Sequence, residues 1–129
     1  MSTESRKFSA SWKSSKKPKK QRKYRYNSPL HIKRGMISAH MSKELKKKYG
    51  KRSAVLRKGD KVRVMVGDFK KKEGKVESVF TRKLKVFVGG VERTKKDGTK
   101  VRIPIDPSNL MIMEFNMEDK YRQKIMERK

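Results

Sequence analysis

The residues best suited to bind a ligand are basic and aromatic, and many of them are concentrated near the N-terminus. The main run comprises Lys16, Lys17, Lys19, Lys20, Arg22, Lys23, Tyr24, Arg25 and Tyr26. Ammonium and guanidinium groups bind phosphates, while tyrosine rings and guanidinium planes can stack on unpaired bases. This pattern predicts contact with nucleic acid.

Further basic residues occur later in the chain. We expect the same partner to be contacted by His31, Lys33, Arg34, Lys47, Lys51, Arg52, Lys70, Lys71, Lys72, Arg82 and Lys83. The three lysines at 70–72 lie in one loop, where we also expect exposed backbone suited to phosphate.

Enzyme and metal sites find little support in the sequence. His31 and His40 have no cysteine in the chain to join them and only Glu44 nearby, which is too few ligands for a metal. The chain has no carboxylate pair, Ser-His-Asp set or P-loop, and Gly89-Gly90 alone is not a phosphate-binding fingerprint. We therefore expect no enzyme activity, cofactor, metal or small-molecule substrate.

The overall charge points to an anionic partner. Among 129 residues, 39 are Lys or Arg and 13 are Asp or Glu, which gives a formal charge of +26. A compact chain with this excess repels itself unless an anion binds. No apolar run approaches the ~20 residues of a membrane span, no signal peptide is recognisable, and the lack of cysteine suits the cytosol. Nucleic acid is the best match.

The N-terminal two-fifths of the chain divides into two predicted segments. Residues 1–27, which include Phe8 and Trp12, show no strand or helix period, so we expect a basic extended tail that orders only on nucleic acid. Residues 28–53 form a basic lead-in with two short helices. Ser28-Pro29 opens the first, and the second runs from Ser42 to Tyr49, where Gly50 ends it.

Residues 54–115 show a period of two that is typical of strands. Apolar residues alternate at 62–66, 84–88, 101–105 and 110–115, with turn residues between these runs. Five or six short strands in about sixty residues predict a small, bent, all-β barrel whose core is the valine stripes. Lys95–Gly98 is predicted to be a hairpin tip, with Gly98 at positive φ.

A C-terminal helix is predicted for residues 116–129. Asn116 is expected to cap it, and Asp119 suits its first turn. Tyr121 and Ile125, with Met126 beside them, are predicted to form a narrow stripe that docks on the barrel.

Residues 59–79 carry the most specific motif in the chain. Gly59, Gly67 and Gly74 mark a strand, a glycine-containing loop and a second strand, an order that resembles the KOW motif. Two strands must reverse within about seven residues, so Gly67 and Gly74 are expected to supply backbone angles or close approach that a Cβ would block. Lys71 stands where the motif usually has glycine, which predicts an altered or strained loop.

Four other stretches narrow the resemblance to one family. Residues 27–34, 41–45, 49–53 and 105–110 resemble the archaeal and eukaryotic form of the large-subunit ribosomal protein called L-twenty-four, or L-twenty-six in eukaryotes. The resemblance covers roughly residues 27–115. It implies an SH3-like barrel bound to large-subunit rRNA near the peptide exit tunnel, joining early in assembly beside other ribosomal proteins on the cytoplasmic ribosome.

Two alternatives remain open at this point. A transcription or RNA-processing factor with a KOW motif should carry a separate folded domain before the barrel, but residues 1–53 are basic and poor in apolar residues. A free basic chaperone or DNA compactor would not need a specific barrel.

Overall fold

The computed structural model describes residues 8–9 and 14–128, so the remainder of the predicted tail lies outside the described residues. Within the described part there are four α-helices: α1 Pro18–Asn27, α2 Leu30–Met36, α3 Lys43–Tyr49 and α4 Lys120–Glu127. The described strands are β1 Ser38–Met41, β2 Ser53–Val55, β3 Lys61–Val64, β4 Glu73–Phe80, β5 Lys85–Val88, β6 Glu92–Thr94, β7 Lys100–Arg102 and β8 Leu110–Glu114. Short 3₁₀ helices occupy Thr81–Lys83 and Pro107–Asn109.

The strands form one bent sheet and one hairpin. The sheet has six strands in the order β2-β1-β8-β3-β4-β5, with β1 parallel to β8 and the other neighbours antiparallel. β6 and β7 form the separate hairpin. Val86 and Ile105 exchange two backbone hydrogen bonds of 2.9 Å, which join β5 to the segment after β7. The predicted mainly β, small barrel-like fold with short helices and a C-terminal helix is confirmed.

The core consists of the inward positions of the alternating strands. Val62, Val86, Leu110 and Ile112 are each 0% exposed. The valine stripe ends earlier than expected, because β3 stops at Val64 and Val66 is 61% exposed. The prediction that Val66 belongs to the core is therefore wrong.

The sheet begins before residue 54, where the barrel was predicted to start. Strand β1 lies in the predicted lead-in and pairs with both β2 and β8. Its alternate residues Ala39 and Met41 are 2% and 1% exposed, so this strand contributes to the core. Its inward residues are an alanine and a methionine rather than the β-branched residues that are typical of strands, so this segment carries a weak strand signal.

Helix α1 corrects the expectation of an extended tail. Residues 18–27 are helical, with Pro18 at the start, where its missing N–H costs nothing. Lys, Arg and Gln are good helix formers, which supports this segment although none of its residues is buried. The Oγ of Ser28 donates to Tyr24 O at 2.5 Å at its C-terminal end, so Ser28 closes α1 rather than opening α2.

Helix α3 forms where the sequence predicted it. Ser42 Oγ accepts a hydrogen bond of 3.4 Å from the amide of Leu45, and Gly50 ends the helix with φ +65°. Gly98 has φ +88° at the tip of the β6–β7 hairpin, also as predicted. Local capping and turn chemistry therefore located these two features.

Helix α4 begins later than predicted. Its N-cap is Asp119, whose Oδ1 accepts from the amide of Tyr121 at 2.9 Å. Asn116 instead donates its backbone amide to Asp60 Oδ1 at 2.9 Å.

The docking face of α4 also differs from the prediction. Tyr121 is 76% exposed and Ile125 is 46% exposed, whereas Met126 is 3% exposed as expected. Arg122 is the second buried residue of the helix, at 4% exposed. The stripe that docks is therefore Arg122 with Met126.

The KOW turn uses its glycines in two ways. Gly59 and Gly67 have φ of +92° and +96°, which L side chains rarely adopt. Gly74 lacks positive φ, but a Cβ there would overlap the carbonyl oxygen of Gly89 and lie 2.9 Å from a methyl group of Val88. Lys71 has φ +71°, so the loop departs from the usual pattern through a strained lysine.

Candidate nucleic-acid interface

Lys33 joins α1, α2 and the turn at 81–83. Its Nζ donates to Tyr26 O at 3.1 Å and to Arg82 O at 3.4 Å, and the residue is only 8% exposed. Both carbonyls lie near helix C-termini, which carry partial negative charge and favour a cation. The ammonium group of Lys33 is thus held between two protein carbonyls, an arrangement that suits a positioning role better than the predicted direct contact with RNA.

The contacts of Lys33 bring several predicted residues into one cluster. Most of the predicted set has exposed side chains: Lys16, Lys17, Lys19, Lys20, Arg22, Lys23, Arg25, Tyr26, His31, Arg34, Lys47, Arg52, Lys70, Lys71, Lys72, Arg82 and Lys83. Of these, the residues on α1, on α2 and at 81–83 belong to the three segments that Lys33 connects. We call this the α1–α2 basic surface, formed by α1, His31, Arg34, Arg82 and Lys83.

The two tyrosines of this surface have different environments. The ring of Tyr24 packs on Phe8, with centroids 5.1 Å apart and the planes tilted by 39°. Tyr26 is 75% exposed, so its ring is available to stack on a base.

A second group of predicted residues surrounds the end of α3. Lys47 and Arg52 are exposed, but Lys51 Nζ donates to the carbonyl of Ile125 and helps to hold α4. The pKa of His40 is lowered, first by partial burial and then by the positive charges of Lys46 and Arg52. The positive charges of Lys46 and Arg52 thus both act on His40, which indicates a positive electrostatic potential at this part of β1.

The lysines of the KOW loop present side chains but not backbone. The amide of Lys70 donates to Gly67 O at 3.1 Å, that of Lys71 to Val64 O at 2.8 Å and that of Lys72 to Phe69 O at 3.0 Å. The amides of these three lysines are therefore not available to phosphate, so the lysines can contact it only through their side chains. Lys72 Nζ lies 5.6 Å from the ring centroid of Phe69, while the three side chains are exposed.

The charges of the barrel and of the N-terminal region are arranged differently. Seven carboxylates between residues 60 and 119 lie within 4 Å of a Lys or Arg: Asp60, Asp68, Glu73, Glu77, Asp106, Glu114 and Asp119. Hydrogen bonds from Arg63 and Arg57 hold the pKa values of Glu73 and Asp119 below their usual range. By contrast, residues 5–43 contain 13 Lys or Arg and no Asp or Glu. Within the described part of the chain, residues 14–36, which carry α1 and α2, hold nine of these basic side chains with no carboxylate among them.

The β6–β7 hairpin carries cations that were not among the residues predicted from the sequence to contact nucleic acid. Lys95, Lys96 and Lys100 are exposed, and Arg93 on β6 pairs with Asp68 of the KOW loop at 3.2 Å. The hairpin thus lies beside the loop lysines. The adjacent pair Lys95-Lys96 was the signal in the sequence, but it was interpreted only as a turn.

A buried ion pair fixes α4 to the barrel. Arg122 donates to both carboxylate oxygens of Asp60, at 2.5 and 2.6 Å, and the two side chains are 4% and 0% exposed. The same guanidinium donates to Asn116 O at 3.0 Å and to Val55 O at 3.1 Å. Asp60 also accepts from the amides of Arg57 and Asn116, each at 2.9 Å. This network uses polar groups fully inside the protein, so it is structural.

Other kinds of site are not apparent in the part of the chain that is described. Over residues 8–9 and 14–128, no group of three His, Cys, Asp or Glu side chains could hold a metal ion. No helix in these same ranges is both long enough and apolar enough to cross a membrane.

Fold and charge together define a class of small, strongly basic, barrel-like β proteins with helical extensions. A family model that describes the eukaryotic L26 and archaeal L24 ribosomal proteins matches residues 15–129. The large ribosomal subunit protein uL24 of Korarchaeum cryptofilum (strain OPF8) is 47% identical over 115 residues, covering 89% of this chain and 88% of that protein. The protein of the same name from Methanospirillum hungatei JF-1 is 49% identical over 109 residues, covering 84% of this chain and 91% of that protein.

The chain belongs to this family of eukaryotic L26 and archaeal L24 ribosomal proteins. The family resemblance inferred from the four sequence stretches and the KOW motif is thereby confirmed.

Proposed function

We propose that this protein is a structural, non-enzymatic constituent of the large subunit of the cytoplasmic ribosome and that it binds rRNA through the α1–α2 basic surface. The observation that carries the proposal is the concentration of unneutralised charge there. Residues 14–36, which carry α1 and α2, hold nine basic and no acidic side chains, while barrel carboxylates lie beside barrel cations. Phosphate contacts supply most of the affinity of proteins for nucleic acid, and this surface provides many of them.

Two further groups extend the proposed contact. The side chains of Lys70, Lys71 and Lys72 adjoin the cationic hairpin, and Lys47 and Arg52 lie around α3. Tyr26 supplies an exposed ring for an unpaired base. Lys33 and Lys51 act indirectly by holding α1 and α4 in place.

The finer parts of the proposal rest on the family resemblance. We propose that the protein joins the large subunit early in assembly, lies near the peptide exit tunnel and contacts neighbouring ribosomal proteins. Sedimentation of assembly intermediates tests the timing. The protein should already be present in the earliest large-subunit precursors, and its appearance only in mature subunits would contradict early entry.

RNA binding is tested by the salt dependence of affinity for a large-subunit rRNA fragment. Each phosphate contact contributes a slope of ~0.7 to 0.9 in log K against log salt, so six contacts would lower affinity by orders of magnitude between low and moderate salt. The matched variants are Lys23→Gln on the basic surface and Lys58→Gln beside β3. The first should lower the slope by about one contact and the second should not. A flat salt response would contradict the proposal.

The competing assignment as a transcription or RNA-processing factor is separated by sedimentation of a cell lysate. We expect the protein to migrate with large ribosomal subunits. Migration with RNA polymerase or a processing complex would favour the competing assignment.

A further inference from the structure

A groove of about 940 Å³ lies where the barrel is left open. Strand β2 is at the edge of the sheet and has β1 as its neighbour. Pairing of β4 with β3 ends at Lys75, so residues 77–79 of β4 have β5 on one side and the groove on the other. Residues 53–55 of β2 and 77–79 of β4 both line the groove, which we call the open seam.

The backbone of β2 is oriented for pairing on its outer side. The amide of Met41 in β1 donates to Arg52 O, and the amide of Leu56 donates to the carbonyl of Ile37 just before β1, each at 3.0 Å. The backbone polar groups of residues 52 and 56 therefore face β1. Alternation along an antiparallel strand then directs the backbone groups of Ser53 and Val55 away from β1. Val55 O agrees with this, since it accepts from Arg122 of α4 at 3.1 Å. Because Val55 O is already bonded to Arg122, the outward groups left for a further strand are the amide and carbonyl of Ser53 and the amide of Val55. A strand edge with open groups of this kind is a template for another strand.

The side chains around the open seam combine an aliphatic floor with a basic rim. Val55 and Ile125 are 42% and 46% exposed, and Val79 and Met126 also line the floor. The rim carries Arg34, Lys51, Arg57 and Lys58, of which Arg57 is paired with Asp119, and the one lining carboxylate, Glu77, is paired with Arg102 at 3.5 Å. The remaining positive charge favours an anionic occupant.

We propose that the open seam binds an extended segment of a partner protein with alternating acidic and aliphatic side chains, which adds to β2 as a further strand. In such binding the main-chain hydrogen bonds give affinity and pockets for alternate side chains give specificity. The seam is less suited to single-stranded RNA, because none of its lining residues is aromatic and only arginine planes such as that of Arg34 could stack on a base. The proposal goes beyond rRNA binding and does not depend on it.

The test uses the full-length, ¹⁵N-labelled protein and a synthetic peptide of alternating Glu and Val with blocked ends, about six residues long as in an average strand. The control peptide has the same sequence with N-methyl groups on every second amide, so charge and side chains are unchanged. We expect the parent peptide to slow amide exchange at Ser53 and Val55 and to bind at least ~10-fold more tightly than the control. Equal binding of the two peptides would reduce the interaction to charge attraction and overturn the proposal.

Two pairs of variants locate the contact. Ile125→Asp places a carboxylate on the floor, and its control is Val66→Asp, which is 61% exposed and lines a different groove. Lys58→Glu reverses a rim charge, and its control is Lys96→Glu at the hairpin tip. Each seam variant should weaken the parent peptide ~10-fold and each control should not.

The Lys58 pair decides the outcome if Ile125→Asp lowers the melting temperature. Equal effects of the seam and control variants would overturn the proposal. So would an oligouridylate that protects the amides of Ser53 and Val55 and displaces the peptide, since the seam would then be an RNA site.

Discussion

Replacing Arg122 by methionine should destabilise the protein far more than removing an exposed ion pair of the same helix. Methionine keeps much of the buried volume but removes the four hydrogen bonds that the guanidinium donates. Asp60, which is 0% exposed, keeps only the amides of Arg57 and Asn116 as donors. Breaking a buried ion pair in this way costs about 3–5 kcal/mol.

That cost is a large share of the stability of a small domain, which is about 5–15 kcal/mol in total. We expect the urea midpoint to fall with an unchanged m-value, and the melting temperature to fall by roughly 10 °C or more. Amide exchange should accelerate first in α4, because the same change releases the helix from Val55 O.

Two further variants isolate the ion pair. Arg57→Met removes the exposed pair with Asp119, whose side chains are 42% and 39% exposed, and should change the midpoint little. The double variant Asp60→Asn with Arg122→Met should be less destabilised than the sum of its single variants, because no unpaired charge remains buried. An Arg122→Met protein with the wild-type midpoint and protected α4 amides would refute the reasoning.

Lys33, Gly74 and His40 each give a further prediction. Lys33→Met should weaken RNA binding without lowering the salt slope, because Lys33 orients α1 and contacts no phosphate, whereas Lys23→Met should lower the slope; a reduced slope for Lys33→Met would restore it as a direct contact. Gly74→Ala should destabilise the protein by about 1–3 kcal/mol in urea unfolding, because the added Cβ overlaps backbone atoms. Gly35→Ala, in a helix where the added Cβ meets nothing within 4 Å, should stabilise the protein slightly, and equal effects of the two variants would show that the close approach at Gly74 does not matter. The lowered pKa of His40 means that the folded state binds a proton at this residue less readily than the unfolded state does, so the free energy of unfolding should fall as the pH drops below about 6.5. His40→Gln should remove this loss, and an equally pH-dependent His40→Gln protein would contradict the assignment.

The sequence predicted those parts of the fold that repeat or cap locally. The alternation at 62–64, 84–88 and 110–114 located the core strands because one side of each is buried. Ser42 and Gly50 located α3 because the capping residues adjoin the helix they cap.

The remaining features depend on contacts that are distant in sequence or on weak local signals. Helix α1 was missed because a strongly basic segment has no apolar stripe, although its residues favour helix. Arg122 was missed because an arginine is normally exposed and its partner Asp60 lies 62 residues earlier in the chain. Lys33 was assigned to the partner for the same reason, since its two carbonyl acceptors are visible only in three dimensions.

Holding α1 at one end has a mechanical consequence. Ten residues at 1.5 Å each make this helix about 15 Å long, with Lys33 bound near its C-terminal end and Pro18 at the other. A rotation of about 10° around that joint would move the far end by about 2.6 Å, close to the length of a hydrogen bond. The ammonium group of Lys33 is therefore one of the contacts that set the direction of this helix, beside the backbone that continues through Ser28. Because the same ammonium group also bonds to Arg82 O, the direction of the helix is linked to the turn at 81–83, which follows the end of β4.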